Sequence, residues 1–396
     1  MSGVLKDIRV LDFGRYIAGP YCGALLGDFG AEVIRIEKRD GSEDRWTAPV
    51  GEDGTGAGFL QMNRNKLSIT LDPASPAGRV VVERLVRESD VVIANMPLVQ
   101  LKELGLDYDT LEKINPRIIL FMNSCYGSVG PLAERPGFET IAQAMSGSMY
   151  ITGDGTTPMR VAVPANDFGT ATFGALGVMA ALLERERSGR GQLVETALLH
   201  TALNLADTNL IEEALLRKGR KAQGNRSWAS GPHDCFSCSD GWIFCMVVGN
   251  GLFKRWARLM GNEKVWLEDP RFGTDQSRGD NGEVLSLRMQ QWCESLTIAQ
   301  ALDQLNAAKI PAGPVYSLAE TLEDTHIQAA GFFEDVSYPG IPNPAPIVTT
   351  PVRLSRTPGK ILRRPPLLGE HTDDVLINIA GYSEAEVADL RAKAVI

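Results

Sequence analysis

The sequence predicts an α/β protein: a larger part built on a parallel, doubly wound sheet, and a smaller α+β region. Three observations lead there. Apolar β-like runs alternate with helical runs through the first 125 residues. A basic stretch without apolar periodicity, LRKGRKAQGNRSWASGP at 216–232, breaks the chain. After it, a strand pair is followed by a series of amphipathic helices.

Taken in order, IRVLDF is an apolar strand, GPYCGALLGDFG a helix with Pro20 near its start and Gly30 at its end, and EVIRIE a second strand. SPAGRVVVERLVRES is amphipathic and opens after Asp72-Pro73, and DVVIAN returns as a strand. LKELGLDYDTLEKIN gives helical turns and RIILFMNS another strand. Residues 168–187 read as a buried helix, thinned by Gly169, Gly174 and Gly177 so that a neighbouring backbone can approach. Arg185 and Arg187 suit its C-terminal end and Gly189 stops it. QLVETALL reads as a strand leading into one long helix to about Leu216.

In the second region, CFSCSDGWIFCMVV reads as two strands around a Ser239-Asp240-Gly241 turn, followed by helices in GLFKRWARLMG, SLRMQQWCESL and IAQALDQLNAAKI. The stretch 335–352 is a proline-rich connector, and a capping box, Ser383 with Glu386, starts the last helix. The predicted division is 1–215 as the large domain, 216–232 as linker, 233–325 as the small domain, and 326–396 as linker and return to the large domain.

The totals narrow the function classes. A length of 396 residues allows two domains, and 44% hydrophobic with 22% charged residues is an ordinary globular balance that argues against disorder. A net charge of −9 excludes a general nucleic-acid binder, though not a local basic pocket for a phosphorylated small molecule. Six cysteines are too few for a disulfide scaffold, so a reducing compartment is expected. No apolar run reaches the length of a membrane span and the N-terminus lacks a signal peptide's apolar core, so the expectation is a soluble cytoplasmic protein.

Several chemistries fail on spacing. No GxGxxG follows the first strand, although Glu37 ends the second strand where a dinucleotide fold keeps its ribose-binding acid. Cys235 and Cys238 form one CxxC near His233 and Cys245, but they alternate with Phe236, Trp242 and Phe244 as on half-buried strands. Buried thiols are the better reading than a metal site, and no metal is expected. YGSVG has the wrong spacing for a hydrolase elbow. Arg15, Arg35, Lys38, Arg39, Arg64 and Lys66 cluster around the first strands, as a solvated surface or as a phosphate pocket at the sheet's carboxyl edge. Asp167, at the mouth of the glycine-thinned helix, is a good N-cap by residue type and equally a carboxylate in a fixed orientation.

Several stretches together resemble the class III CoA-transferases, the CaiB/BaiF family that includes formyl-CoA and carnitine-CoA transferases. They are AGPYCGALLGDFGAEVIRIEK, NRNKLSITLD, LGLDYDTLEKINPRIIL, PGFETIAQAMSG, VPANDFG through SGRGQLVE, IPAGPV and LGEHT, spread over nearly the whole chain. The resemblance implies a Rossmann-like large domain assembled from both chain ends, a small domain between, and an interlocked, ring-like homodimer. It implies an acyl-CoA:carboxylate CoA-transferase with Asp167 as nucleophile, Glu139 beside it, and Gly249 and Gly251 of a GNG stretch in a closing loop that offers backbone donors. The substrates implied are coenzyme A thioesters and a small carboxylic acid, with no tightly bound cofactor and no nucleic-acid or membrane partner. CoA contacts are expected from Arg15, Tyr16, Ala18, Lys38, Arg64, Asn65, Lys66, Asn95, Tyr126 and Arg135.

The chain departs from the family pattern at Met96-Pro97-Leu98-Val99, where many members read Phe-Arg-Pro-Gly, and at Glu103, where a basic residue is expected. Ile17 replaces the glutamine of the formyl-CoA enzyme, which argues against formyl-CoA and oxalate. The main rival in the superfamily, a 2-methylacyl-CoA racemase, would need a histidine where Phe138 stands in Gly137-Phe138-Glu139, and phenylalanine exchanges no proton. A non-catalytic CoA-binding subunit is the alternative from another class, and a thioester hydrolase would need only water as acceptor.

Overall fold

The computed structural model describes residues 3–396. By internal packing the chain divides into two units. One comprises Met1–Ser148, Arg160–Arg217 and Gln328–Ile396; the other comprises Met149–Met159 and Lys218–Ile327. The excursion Met149–Met159 has no periodicity that marks it in the sequence. It is held to the second unit where the Gly224 N–H donates to the Gly153 carbonyl at 2.7 Å.

The first unit is built on six parallel strands: β1 (Arg9–Asp12), β2 (Glu32–Glu37), β3 (Lys66–Thr70), β4 (Val91–Ala94), β5 (Ile119–Ser124) and β6 (Leu193–Ala197), in the order β3-β2-β1-β4-β5-β6. The order runs outward in both directions from β1 and β4, so the loops after these two strands part and leave a crevice at their carboxyl ends. Successive residues alternate between two cores. Leu11, Ile34 and Ile69 pack with Val81, Leu85 and Leu376 on one face; Val10, Val33 and Ile93 pack with Leu26, Ala171 and Val178 on the other.

Helices follow the strands. They are α1 (Ala18–Asp28), α2 (Pro76–Arg87), α3 (Leu98–Leu104), α4 (Tyr108–Ile114), α5 (Glu139–Met145), α6 (Ala165–Ser188), α7 (Leu198–Leu205) and α8 (Asp207–Leu216). Ser75 caps α2 by accepting from the Gly78 N–H at 3.1 Å, with Pro76 at the first helical position. The second unit carries the antiparallel strands β7 (His233–Cys238), β8 (Gly241–Met246) and β9 (Ala312–Pro314) with helices α9 (Gly249–Leu259), α10 (Gly282–Cys293) and α11 (Ile298–Ala307). Their shared core holds Phe236, Ile243, Phe253, Trp256, Met289 and Leu305. The first unit is completed by β10 (Phe333–Val336), β11 (Ala345–Val348) and α12 (Glu384–Ala392). Ser383 caps α12 through the expected box with Glu386, and Val387, Leu390 and Ile396 join the core beside β3.

Four expectations change. The proline-rich 335–352 is not a bare connector: β10 and β11 pair antiparallel within and before it, with Pro339, Pro342 and Pro344 between the strands, Pro346 in the ladder and Pro351 after it. The helix expected to run unbroken to Leu216 is two, because Ala206 closes α7 and opens α8. The helix expected to be buried, α6, is buried on one face only. Thr170, Gly174, Val178 and Arg185 face inward, while Phe173, Leu176, Met179 and Leu183 are exposed. The residues that come close to its glycines are side chains: an added Cβ would lie 2.1 Å from Phe121 at Gly174 and 2.6 Å from Val194 at Gly177. Finally, the residues of GNG are the first turn of α9 rather than a loop. No helix among the described residues is long and apolar enough to cross a membrane.

Gly174 thus sets how closely α6 can lie on β5, two turns after Asp167. Gly174→Ala is expected to lower stability by about 1–3 kcal/mol through overpacking against the fully buried Phe121. Denaturant midpoints measure this, and an unchanged midpoint would show that Phe121 can move aside.

Candidate active site

At the crevice between β1 and β4, Phe13, Arg15 and Tyr16 follow β1, Lys38 follows β2, Asn95 to Pro97 follow β4, and Asn123 to Cys125 end β5; together they line a cleft of about 620 Å³. Arg135, Gly137, Phe138, Glu139 and Asp167 close it on one side. The two strands are tied across the switch point by a reciprocal pair: the Arg15 N–H donates to Asn95 Oδ1 at 2.7 Å and Asn95 Nδ2 donates to the Arg15 carbonyl at 2.6 Å. The Arg15 guanidinium donates only to main-chain carbonyls, those of Phe13, Gly14 and Ile36, so no carboxylate among the described residues neutralises it by a direct bond. Burial pulls its pKa below the ordinary value, and the neighbouring Arg35 adds to that.

Tyr16 adopts a left-handed backbone, φ 61°, which costs a non-glycine residue roughly 1 kcal/mol or more. It is held there by the Arg15–Asn95 pair on one side and by its own N–H donating to Asp44 Oδ2 at 3.2 Å. Its ring meets the edge of Phe138 at a centroid separation of 5.8 Å. Beyond this pair lies a second cleft of about 440 Å³ lined by Ile17, Asp44, Thr47, Met62, Thr140, Arg160, Ala162 and Pro164. Tyr16, Phe138, Glu139 and Asp167 line both clefts.

Asp167 is not the N-cap of α6. Pro164 holds that position and Asp167 is the third helical residue, in the first turn where the helix dipole favours a negative charge. Its carboxylate accepts no hydrogen bond and forms no ion pair among the described residues. Burial raises its pKa and the charge of Glu139 raises it further, to about 7. Glu139, first residue of α5, is by contrast tightly held: Gln143 Nε2 donates to both its oxygens at 2.8 and 3.0 Å, and the Asn166 side-chain amide donates to Oε1 at 3.0 Å. Glutamine four residues after glutamate on one helix is a signal the sequence carries; Asn166, held in place by tertiary contact, is not. Gly137 allows this corner, since an added Cβ there would lie 2.5 Å from Cys125 Sγ.

The other expected contacts divide. Ala18 and Arg135 line the first cleft, as does Lys38, whose ammonium pairs with Glu43 at 2.7 Å on the surface. Tyr126 packs partly buried beside Cys125 and is not part of the cleft lining. Arg64, Asn65 and Lys66 do not reach the cleft: their side chains are buried under the sheet. Arg64 pairs with Asp28 at 2.6 Å, Lys66 with Asp12 at 2.6 Å, and Asn65 bonds Asp28 and the backbone of residues 360–363. Glu37 does line the first cleft, but its carboxylate is already engaged. Arg45 and Ser68 hold it, and although burial opposes its ionisation, Arg35 and Arg45 outweigh that and bring its pKa to about 2. In the second unit the Gly249 N–H donates to both oxygens of Asp275 at 2.9 Å, so it is not a free donor; Gly251 has open space around it. Cys238 and Cys245 are core residues, and no cluster of three or more potential metal ligands occurs among the described residues.

A family profile described as CoA-transferase family III matches residues 5–372. The chain is 34% identical to the succinyl-CoA–L-malate CoA-transferase β subunit of Chloroflexus aurantiacus, over 99% of this chain and 98% of that one. It is 34% identical to the succinate–glutarate CoA-transferase of Agrobacterium fabrum, over 95% of each. Among solved structures, a CaiB/BaiF family protein from Brucella suis superposes with a TM-score of 0.83 at 31% identity, covering 96% of this chain and 100% of that chain.

The burial of Arg64 yields a test. Arg64→Ala strands the Asp28 carboxylate in the core and is expected to destabilise the protein by about 3–5 kcal/mol while CoA affinity measured by calorimetry on the folded fraction stays within twofold. Weaker CoA binding with unchanged stability would return Arg64 to the ligand site.

Proposed function

The chain belongs to CoA-transferase family III, and from that premise we propose that it moves coenzyme A from an acyl-CoA to a free carboxylic acid with Asp167 as the nucleophile. The observation that carries this reading is the Asp167 carboxylate itself: unbonded, aimed into two clefts, and shielded from water enough to raise its pKa to about 7. A carboxylate that no donor stabilises is a better nucleophile than a solvated one.

The reaction needs no proton transfer, which agrees with clefts that no histidine lines. The Asp167 carboxylate adds to the thioester carbonyl, the C–S bond breaks and CoA thiolate leaves, giving a mixed anhydride. The thiolate adds to the Asp167 carbonyl and the donor acid departs as its carboxylate, leaving an aspartyl-CoA thioester. The acceptor carboxylate adds to that carbonyl and expels thiolate again; the thiolate then takes the acceptor's acyl carbon and frees Asp167. In this reading the larger cleft, with the unneutralised Arg15 and with Lys38 and Arg135 at its edges, takes the CoA moiety. The second cleft takes the acyl group and the acids. The two relatives named above act on malate, succinate and glutarate, and we extend the class, a short dicarboxylate, to this chain.

We also propose a homodimer. The exposed face of α6 presents Phe173, Leu176, Met179 and Leu183, and α8 buries none of its residues while exposing Leu210, Ile211, Leu215 and Leu216. So much apolar surface on two helices is uncommon on a monomer. Light scattering at micromolar concentration should return about twice the 43.0 kDa chain mass, and a monomer would overturn the assignment.

The nucleophile is tested by its adduct and by pH. Incubated with acyl-CoA, the wild-type peptide containing Asp167 should become hydroxylamine-sensitive, and Asp167→Asn should fold, bind CoA and carry no adduct. Because the raised pKa leaves Asp167 protonated below neutrality, the rate of adduct formation should climb with pH and level off above about 7. Glu139→Gln removes one of the two causes of that shift, so the midpoint should move to lower pH. Wild-type transfer rates in Asp167→Asn would end this mechanism.

A further inference from the structure

We infer that Arg160 reads the second, distal carboxylate of a dicarboxylic substrate in the smaller cleft, an inference that rests on the transferase reading above and names its specificity determinant. The charges of that cleft are one-sided. Asp44, Glu139 and Asp167 bring three carboxylates to its lining, and Arg160 is its one basic side chain. Asp44 is neutralised, since Arg35 Nη2 donates to both its oxygens at 2.8 Å. Glu139 and Asp167 have no cationic partner among the described residues. An acid entering to attack at Asp167 brings one carboxylate to this acidic corner as a chemical necessity, and a diacid brings two. The second needs a counter-charge, and Arg160 can supply it.

Arg160 is free for this and is held where it would be useful. It forms no ion pair among the described residues, and its side chain makes a single bond, Nη1 donating to the Ala162 carbonyl at 3.3 Å. The other guanidinium donors are therefore available for a carboxylate, the planar acceptor their fork matches. The backbone next to it is pinned on both sides by one side chain: the Val161 N–H donates to Gln143 Oε1 at 2.9 Å and Gln143 Nε2 donates to the Val161 carbonyl at 3.3 Å. Gln143 also donates to Glu139, which accepts from Asn166, the residue before Asp167. A continuous run of hydrogen bonds thus sets the root of Arg160 relative to the nucleophile. The uncharged part of the lining is mostly apolar, with Ile17, Met62, Phe138 and Pro164 beside the hydroxyls of Thr47 and Thr140, which suits the methylenes of a short chain.

The test compares acceptors under one donor. With succinyl-CoA saturating, glutarate and the length-matched monoacid pentanoate are titrated against wild type, Arg160→Gln and Arg160→Lys; any effect on the donor half-reaction cancels in the ratio. Wild type should favour glutarate in kcat/KM. Arg160→Gln should lose at least about tenfold for glutarate, chiefly in KM, with pentanoate within twofold, and Arg160→Lys should recover part of the loss. Equal losses for both acids would mean that Arg160 acts on the fold or on the nucleophile, and no diacid preference in wild type would remove its role; either overturns the inference alone. Absence of both transfer and an Asp167 adduct in wild type would overturn the transferase reading and this inference together, and the adduct measurement separates the two failures.

Discussion

Two carboxylates sharing one corner without a cation between them constrain everything around them. Like charges this close, partly out of water, raise the energy of the doubly ionised state. The protein answers asymmetrically: Glu139 accepts hydrogen bonds from Gln143 and Asn166, while Asp167 accepts none among the described residues. One carboxylate is fixed in place by hydrogen bonds and the other is left without a donor among the described residues. Further along α6, the glycine face packs tightly on Phe121 and Val194.

The cations that might have relieved this corner are engaged elsewhere. Arg35, Arg45, Arg64 and Lys66 are buried, each paired with a carboxylate: Asp44, Glu37, Asp28 and Asp12. These pairs shape the crevice rather than fill it. Asp12 also accepts from the Gly14 N–H at 2.8 Å and Asp44 from the Tyr16 N–H, so the ionic layer under the sheet fixes the loop that carries Arg15 and the strained Tyr16. The cations that line the clefts are a smaller set: Arg15, whose guanidinium bonds only carbonyls, with Lys38 and Arg135 at the large cleft and Arg160 at the small one. Tyr16 and Phe138 stand edge to face where the clefts meet, and Asp167 lines both clefts beside them.

The sequence by itself determined the class of sheet and many of its strands and helices, though not β3, the β10–β11 pair or the break between α7 and α8. EVIRIE is β2 residue for residue, Gly189 ends α6 in the left-handed conformation, and Ser383 with Glu386 caps the last helix. These follow from short-range rules: side-chain periodicity, glycine's freedom at positive φ, and a cap that reaches three residues. The family motifs, being strings, were also legible. Tertiary structure alone decided which charges face ligands. Arg64 and Arg15 look alike in sequence, both basic residues near strand ends, yet one meets Asp28, 36 positions away, and the other meets only carbonyls. It also decided that Asp167 stands one turn inside its helix rather than at its cap, and that Gln143 ties Arg160 to Glu139. A charge's role depends on what lies within about 3 Å of it in space, and hydrogen-bond partners brought together from distant segments leave no period in the chain.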